Sequence, residues 1–212
     1  MKTKKVVLYC LVALVAGCGP ILSLNPLFTK ENVVFDEKLL GAWRGDANDP
    51  NLSLEFTRLD ESSVGDLPKE LAGESSRIYR LTLSEKGDRK GVLVACLVKL
   101  GERRFLDIFP DRFPSGESDE DQMKLGFNAS FFLRSHMLAR VDAIGDRLDI
   151  HLMDDEGFKK LVEAEPKAVA YATTEDGPLL TASVKELQEF VTKYADNEQL
   201  FALEATFVRK SK

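Results

Sequence analysis

The chain has 212 residues, of which 44% are hydrophobic, and a net charge of −6. That length fits one domain with a sizeable core. The acidic balance argues against nucleic acid or an anionic membrane surface as the main partner, and no basic stripe interleaved with aromatics runs through the chain.

The N-terminus places Lys2, Lys4 and Lys5 ahead of the apolar run Val6 to Ala16. Eleven helical residues rise about 16 Å, roughly half a bilayer core, so the run is too short to span a membrane. A basic start, a short apolar stretch and small residues at its end have the form of a secretory signal peptide. Val15-Ala16-Gly17-Cys18 resembles the bacterial lipobox. The resemblance implies cleavage between Gly17 and Cys18, a diacylglyceryl thioether on the Cys18 sulfur, and a new amino group open to a further acyl chain. The competing reading is plain secretion, with Val15-Ala16-Gly17 as the cleavage site and Cys18 incidental.

Processing there removes three of the 29 basic side chains and none of the 35 acidic ones, leaving a charge of −9. One acyl chain holds a protein only marginally, whereas two or three retain it durably. The expectation is a soluble body anchored in the cell envelope, facing the periplasm or the exterior. Gly19 after the anchor resembles the pattern sent to the outer membrane in hosts that have two. Cys10 leaves with the signal, so Cys18 and Cys96 remain and no intramolecular disulfide is possible. Cys96 lies within "GVLVACLVKL" and reads as an inert core thiol.

Residues 1–17 are thus read as signal peptide, 18–32 as lipidated N-terminus and short linker, and 33–212 as one β-rich domain. "DEKLLG" looks like one helical turn ending at Gly41, followed by an extended "AWRG". Period-two alternation predicts strands at "LSLEFTR" and "RIYRLTLS". "GVLVACLVKL" is apolar on both faces, as a central strand would be. "RRFLDIFP" follows a "GE" turn. The acidic segment 110–124 reads as a loop, and "GFNASFFL", "SHMLARVDAI" and "RLDIHLM" read as three more strands, the last pair turned by Gly145 and Asp146.

Two helices are expected in the C-terminal third. The first has Asp154 or Asp155 as cap, Phe158, Leu161 and Val162 on one face, and Pro166 beyond its end. The second opens on Ser183 and Glu186 in capping-box spacing, with the stripe Val184, Leu187, Phe190, Val191 and Tyr194. "AVAYATT" and "GPLLTA" read as short strands between them. "FALEATFVRK" reads as a final strand with Leu203, Ala205 and Phe207 on one side, a side that Arg209 would share by the same alternation. The fold class is therefore mainly β: an antiparallel meander curled into a barrel or half-barrel, which hides sheet edges, with two short helices.

At "LLGAWRG" the Gly41-Ala42-Trp43 start is similar to the lipocalin pattern, in which the Trp plugs one barrel end. The resemblance implies Trp43, with Arg44 beside it, as barrel-end residues. More broadly, "VVFDEKLLGAW", "LVKLGERRFLDIFP", "FLRSHMLARV" and "LTASVKELQEFVTKYA" resemble a group of uncharacterised bacterial lipoproteins. That group carries no assigned activity, so the resemblance implies location and architecture only.

Residues with chemical potential are sparse. His151 shares a strand face with Asp149 and Met153, which gives two ligands where a metal needs three or four. His136 lies on the face of Leu138 and Arg140, suited to donate to a carbonyl or carboxylate. Ser135 precedes it on the opposite face and cannot couple to it. Asp46, Asn48 and Asp49 lack the rest of a calcium loop and read as a capped turn. Glu117, Asp119, Glu120 and Asp121 read as a solvated loop. The sequence points to a non-enzymatic protein with no metal and no cofactor beyond acyl groups on Cys18. The expected partners are a membrane, through the anchor, and a small apolar ligand or envelope component. The alternative is a scaffold subunit of an envelope complex, using the helices or segment 110–124 as contact surface. An envelope hydrolase is a third reading, without a nucleophile–base pattern behind it.

Overall fold

The computed structural model describes residues 20–60, 67–85, 89–110 and 133–210. Two short strands come first, β1 (Leu22–Ser23) and β2 (Val33–Val34). The meander follows as β3 (Gly41–Gly45), β4 (Leu52–Arg58), β5 (Ile78–Glu85), β6 (Arg89–Leu100), β7 (Arg103–Pro110), β8 (His136–Ile144) and β9 (Arg147–Met153). Helix α1 (Asp155–Ala164), the hairpin β10 (Tyr171–Thr174) and β11 (Gly177–Leu180), helix α2 (Val184–Lys193) and β12 (Phe201–Arg209) complete the chain.

Each meander strand pairs antiparallel with the next, and β12 lies between β9 and β3. The ring β3-β4-β5-β6-β7-β8-β9-β12 is therefore a closed, eight-stranded antiparallel barrel of lipocalin-like form. Closure pairs every edge, the physical reason a long meander curls at all. The tight turns after β6 and β8 open on Gly101 and Gly145, with φ near +60°, a region that favours glycine. Beside the barrel, β1 pairs with the first residues of β8, and the β10–β11 hairpin extends the sheet from β1.

The barrel wall separates two cores. Trp43, Leu54, Phe56, Tyr79, Leu81, Ala95, Leu97, Leu106, Val141, Leu148 and Phe207 fill its interior. Outside, both helices and residues 20–32 cover the β6–β8 face with Leu27, Phe28, Phe158, Leu187, Phe190 and Val191. Strand β6 is apolar on both sides for this reason: Ala95 and Leu97 point inward, Val94, Cys96 and Val98 outward. Most phenylalanines of the described residues belong to the outer core, including Phe28, Phe105, Phe109, Phe158, Phe190 and Phe201.

The helix boundaries follow their caps. Asp154 accepts the Gly157 N–H at 2.7 Å. Ser183 and Glu186 form a full capping box, in which the Ser183 N–H reaches Glu186 Oε2 at 2.8 Å.

Two expectations are revised. Residues 20–32 are no linker, since Ile21, Leu27 and Phe28 are buried and Leu22–Ser23 joins the sheet. Leu203 does not share a face with Ala205 and Phe207: a bulge between Leu203 and Ala205 shifts the register and leaves Leu203 54% exposed. Of "GFNASFFL" only Leu133, exposed and outside any strand, is among the described residues, and most of segment 110–124 lies outside them.

Candidate functional site

The two barrel ends differ. At one end the turn Glu37–Leu39 crosses the opening. Trp43 projects inward from β3, fully buried, with its indole N–H donating to the Leu39 carbonyl at 2.8 Å. Tyr79 backs this end: its hydroxyl donates to the Asp36 carbonyl and accepts the Asp36 N–H, and Phe35 stacks on its ring at 4.7 Å. Burial pushes the Tyr79 phenol up to about 12, so it stays protonated.

Arg44 does not belong to this plug. Adjacent strand residues face opposite sides, so Arg44 is exposed on the outer wall. The cation over the Trp43 ring is Arg209, its guanidinium carbon 4.2 Å from the ring centre.

The opposite end is hollow. A cavity of about 110 Å³ lies between Leu52, Leu54, Leu81, Leu83, Leu93, Ile108, Met137, Ile150, Leu152 and Phe207. These are the inward positions of β4 to β9 and β12 beyond the aromatic plug. Asp49, Glu85 and Glu204 also line it. Glu85 is buried, opposite Leu52 in the β4–β5 ladder, and Glu204 is the extra residue of the β12 bulge.

Asp49 reaches the mouth through the β3–β4 connection. Asp46 accepts the Asn48 N–H at 2.8 Å, an Asx turn. Its own N–H is tied to Thr206 on β12, and the Leu52 N–H then bonds back to the Asp49 carbonyl. The fold-back passes so close to Gly45 that a Cβ there would lie 2.1 Å from the Asp49 carbonyl oxygen. "GDANDPN" is thus a capped turn. Burial, then the neighbouring charges of Asp46 and Glu204, raise the Asp49 carboxyl above the usual carboxylate range.

The two histidines face outward, away from the cavity. His136 Nδ1 is 2.7 Å from Asp107 Oδ1, and the other oxygen of Asp107 accepts the Leu27 N–H at 2.6 Å. A carboxylate only accepts, so this bond places a proton on Nδ1. Ser23, opposite His136 on β1, completes the composition of a Ser-His-Asp set. Its hydroxyl, however, donates to the Asn25 carbonyl and accepts the Asn25 N–H. All three residues are buried, and Phe28 and Phe109 flank the imidazole. The cluster staples residues 23–28 to the barrel, and a substrate has no approach to it.

His151 accepts from Arg140 Nη2 at 2.9 Å through Nδ1, and its Nε2 lies 3.4 Å from Asp142. Arg140 also donates to the Ala195 carbonyl at 2.6 Å, tying the end of α2 to the wall. Asp149, on the same strand face, instead receives Arg147 and the Thr206 hydroxyl. Cys96 is buried in the outer core, where desolvation pushes its thiol well up. Among the described residues no group of three metal-type ligands occurs. Gly17, Cys18, Glu117, Asp119, Glu120 and Asp121 lie outside the described residues.

Asp107, Glu85 and Glu204 are polar residues of these sites that the sequence does not single out, whereas Arg209 stands on the face of Phe207 as its alternation on the last strand implies. Comparison with family models, curated proteins and solved structures finds no match to this chain. Fold and site together define a lipocalin-like barrel, stoppered by Trp43 at one end and opening into an apolar hole at the other.

Proposed function

We propose that the chain is a non-enzymatic envelope lipoprotein, held by acyl groups on Cys18, whose barrel binds a small apolar group in its open end. The observation that carries the binding reading is the leucine-lined cavity of about 110 Å³. The scaffold alternative calls for a solid core and gives no reason for such a hole.

Size limits the occupant. Sites that engulf drug-sized molecules run to about 300–1,000 Å³, whereas an apolar cavity of about 150 Å³ is enough to take up benzene. At about 110 Å³ the hole is smaller than that, so the occupant is the tip of an alkyl chain or part of a ring whose remainder stays in the mouth, each buried CH₂ contributing about 0.8 kcal/mol. The anchor reading rests on the lipobox resemblance at Val15 to Cys18.

Thermal melts with benzene or 1-hexanol test the binding reading. Melting of the native chain should rise with ligand concentration, and Leu83→Trp, which fills the hole, should abolish the rise. An equal response from both proteins would refute cavity binding. For the anchor, Cys18→Ala should move the protein to the soluble fraction and remove the acyl mass from the N-terminal peptide.

A further inference from the structure

We propose that the open end of the barrel is the surface that lies against the bilayer holding Cys18, so that the cavity opens onto lipid. This rests on the anchor reading above and goes beyond it by naming the face that the anchor presents.

The anchored segment enters the fold at the mouth. Strand β1 pairs with β8 at Met137 and His136, on the side that β9 takes from Ala139 onward. Met137 lines the cavity and stands opposite Leu22. Leu22 is four residues after Cys18, a reach of at most about 14 Å for a fully extended chain. The plug end of β8, at Ile144, is seven residues beyond Met137, about 23 Å along the strand. Ile21, Leu27 and Phe28 are buried, so the chain beyond the anchor is packed onto the wall and adds no slack. An acylated Cys18 therefore holds the mouth nearer the membrane than the plug.

Exposed apolar side chains gather at the same end. Among the described residues the large ones are Val92, Leu133, Tyr171, Leu203 and Val208. Val92 and Leu203 adjoin the cavity-lining Leu93 and Glu204. Leu133 comes three residues before His136, where β8 starts. Tyr171 lies level with them, in the cross-strand row Tyr171, Leu180, Ser23 and His136. Of these five, Val208 alone sits near the plug, opposite Arg44. Exposed hydrophobics scattered singly need no explanation, whereas a set gathered at one end marks a contact surface. Within reach of acyl chains, their partner is the apolar part of the interface. Head-group charge does not draw this end in, since Asp49, Glu85 and Glu204 line the mouth. The contact is apolar and suits zwitterionic lipid.

Fluorescence quenching in vesicles tests this. The full-length protein, processed and acylated, carries the dye NBD on one introduced cysteine and is reconstituted into phosphatidylcholine vesicles containing doxyl-labelled phosphatidylcholine. Leu133→Cys and Leu203→Cys place the dye at the mouth; Glu102→Cys, in the β6–β7 turn, and Val208→Cys place it at the plug end. Each end thus has one position outside any strand, which keeps the comparison open should a substitution in β12 disturb the barrel. Cys96 is buried and does not compete for the dye. Doxyl lipid should quench the mouth positions about threefold or more over the plug positions. The same dye at both ends cancels its own affinity for lipid. Equal quenching at the two ends, no quenching at either, or stronger quenching at the plug overturns the proposal, while acyl mass on the N-terminal peptide leaves the anchor standing. An N-terminal peptide without acyl mass sinks both.

Discussion

The guanidinium of Arg209 lies over the Trp43 ring at 4.2 Å and donates to the Leu40 carbonyl at 2.8 Å, with a second contact to the Lys38 carbonyl. The last strand of the barrel thus clamps the aromatic plug carried by the first. Arg209→Ala removes a cation–π contact and leaves carbonyls without their donor, an expected cost of about 1–3 kcal/mol. Urea unfolding should show a lower midpoint at unchanged slope. Arg44→Ala, on the exposed outer face, should change stability by no more than about 0.5 kcal/mol. Equal effects of the two substitutions would contradict this account.

Asp107 supports both the Leu27 N–H and His136 from a fully buried position. Asp107→Ala should cost about 2–5 kcal/mol, because it leaves two buried donors, the Leu27 N–H and the His136 Nδ1–H, without an acceptor, at about 1–3 kcal/mol each. Hydrogen exchange at the Leu27 amide should accelerate by more than the global loss explains, since residues 23–28 lose their staple. Uniform acceleration across the barrel would argue that the N-terminal segment is held by its apolar contacts alone.

Two glycines offer a matched contrast. A Cβ at Gly45 meets the Asp49 carbonyl at 2.1 Å, while one at Gly91 meets nothing within 4 Å. Gly45→Ala should therefore destabilise by about 1–3 kcal/mol as the turn is pushed away. Gly91→Ala should stabilise by about 0.5 kcal/mol through lower chain entropy. Thermal melts of the two variants check the difference in sign.

Burial, and then the Arg140 charge, lower the His151 pKa below its ordinary 6.5, and Arg140 uses the Nδ1 lone pair that protonation would remove. The unfolded chain therefore takes up this proton at higher pH than the folded one. As pH falls below about 6.5, stability should decline until the folded-state pKa is passed. His151→Gln retains an acceptor for Arg140 without titrating, so its stability should be flatter between pH 7.5 and 5.5. A wild-type curve that is equally flat there would remove His151 from the pH response.

Strand alternation made much of this fold legible. Leu148, Ile150 and Leu152 point inward and Asp149 and His151 outward, as period two requires, and the two apolar faces of β6 do mark a wall between cores. The Ser183 capping box stands as its spacing implies. Other features depend on which distant segments meet. Period two says that Phe105 and Phe109 share a face but not which side of the wall that face is on. Asp107 and Leu27, 80 residues apart, have no local signature, so the segment holding Leu27 reads as a tether. The acidic mouth was hidden for the same reason: Asp49, Glu85 and Glu204 become neighbours only when the ring closes, and a bulge sets the position of the third.

Because the plug sits at one end and the hollow at the other, the barrel is a cul-de-sac and not a conduit. A guest of the proposed site would have to back out through the doorway by which it came. Substitutions at that doorway should therefore alter its arrival and its departure alike, whereas changes around the stopper should leave both rates alone and be felt only as loss of the folded state.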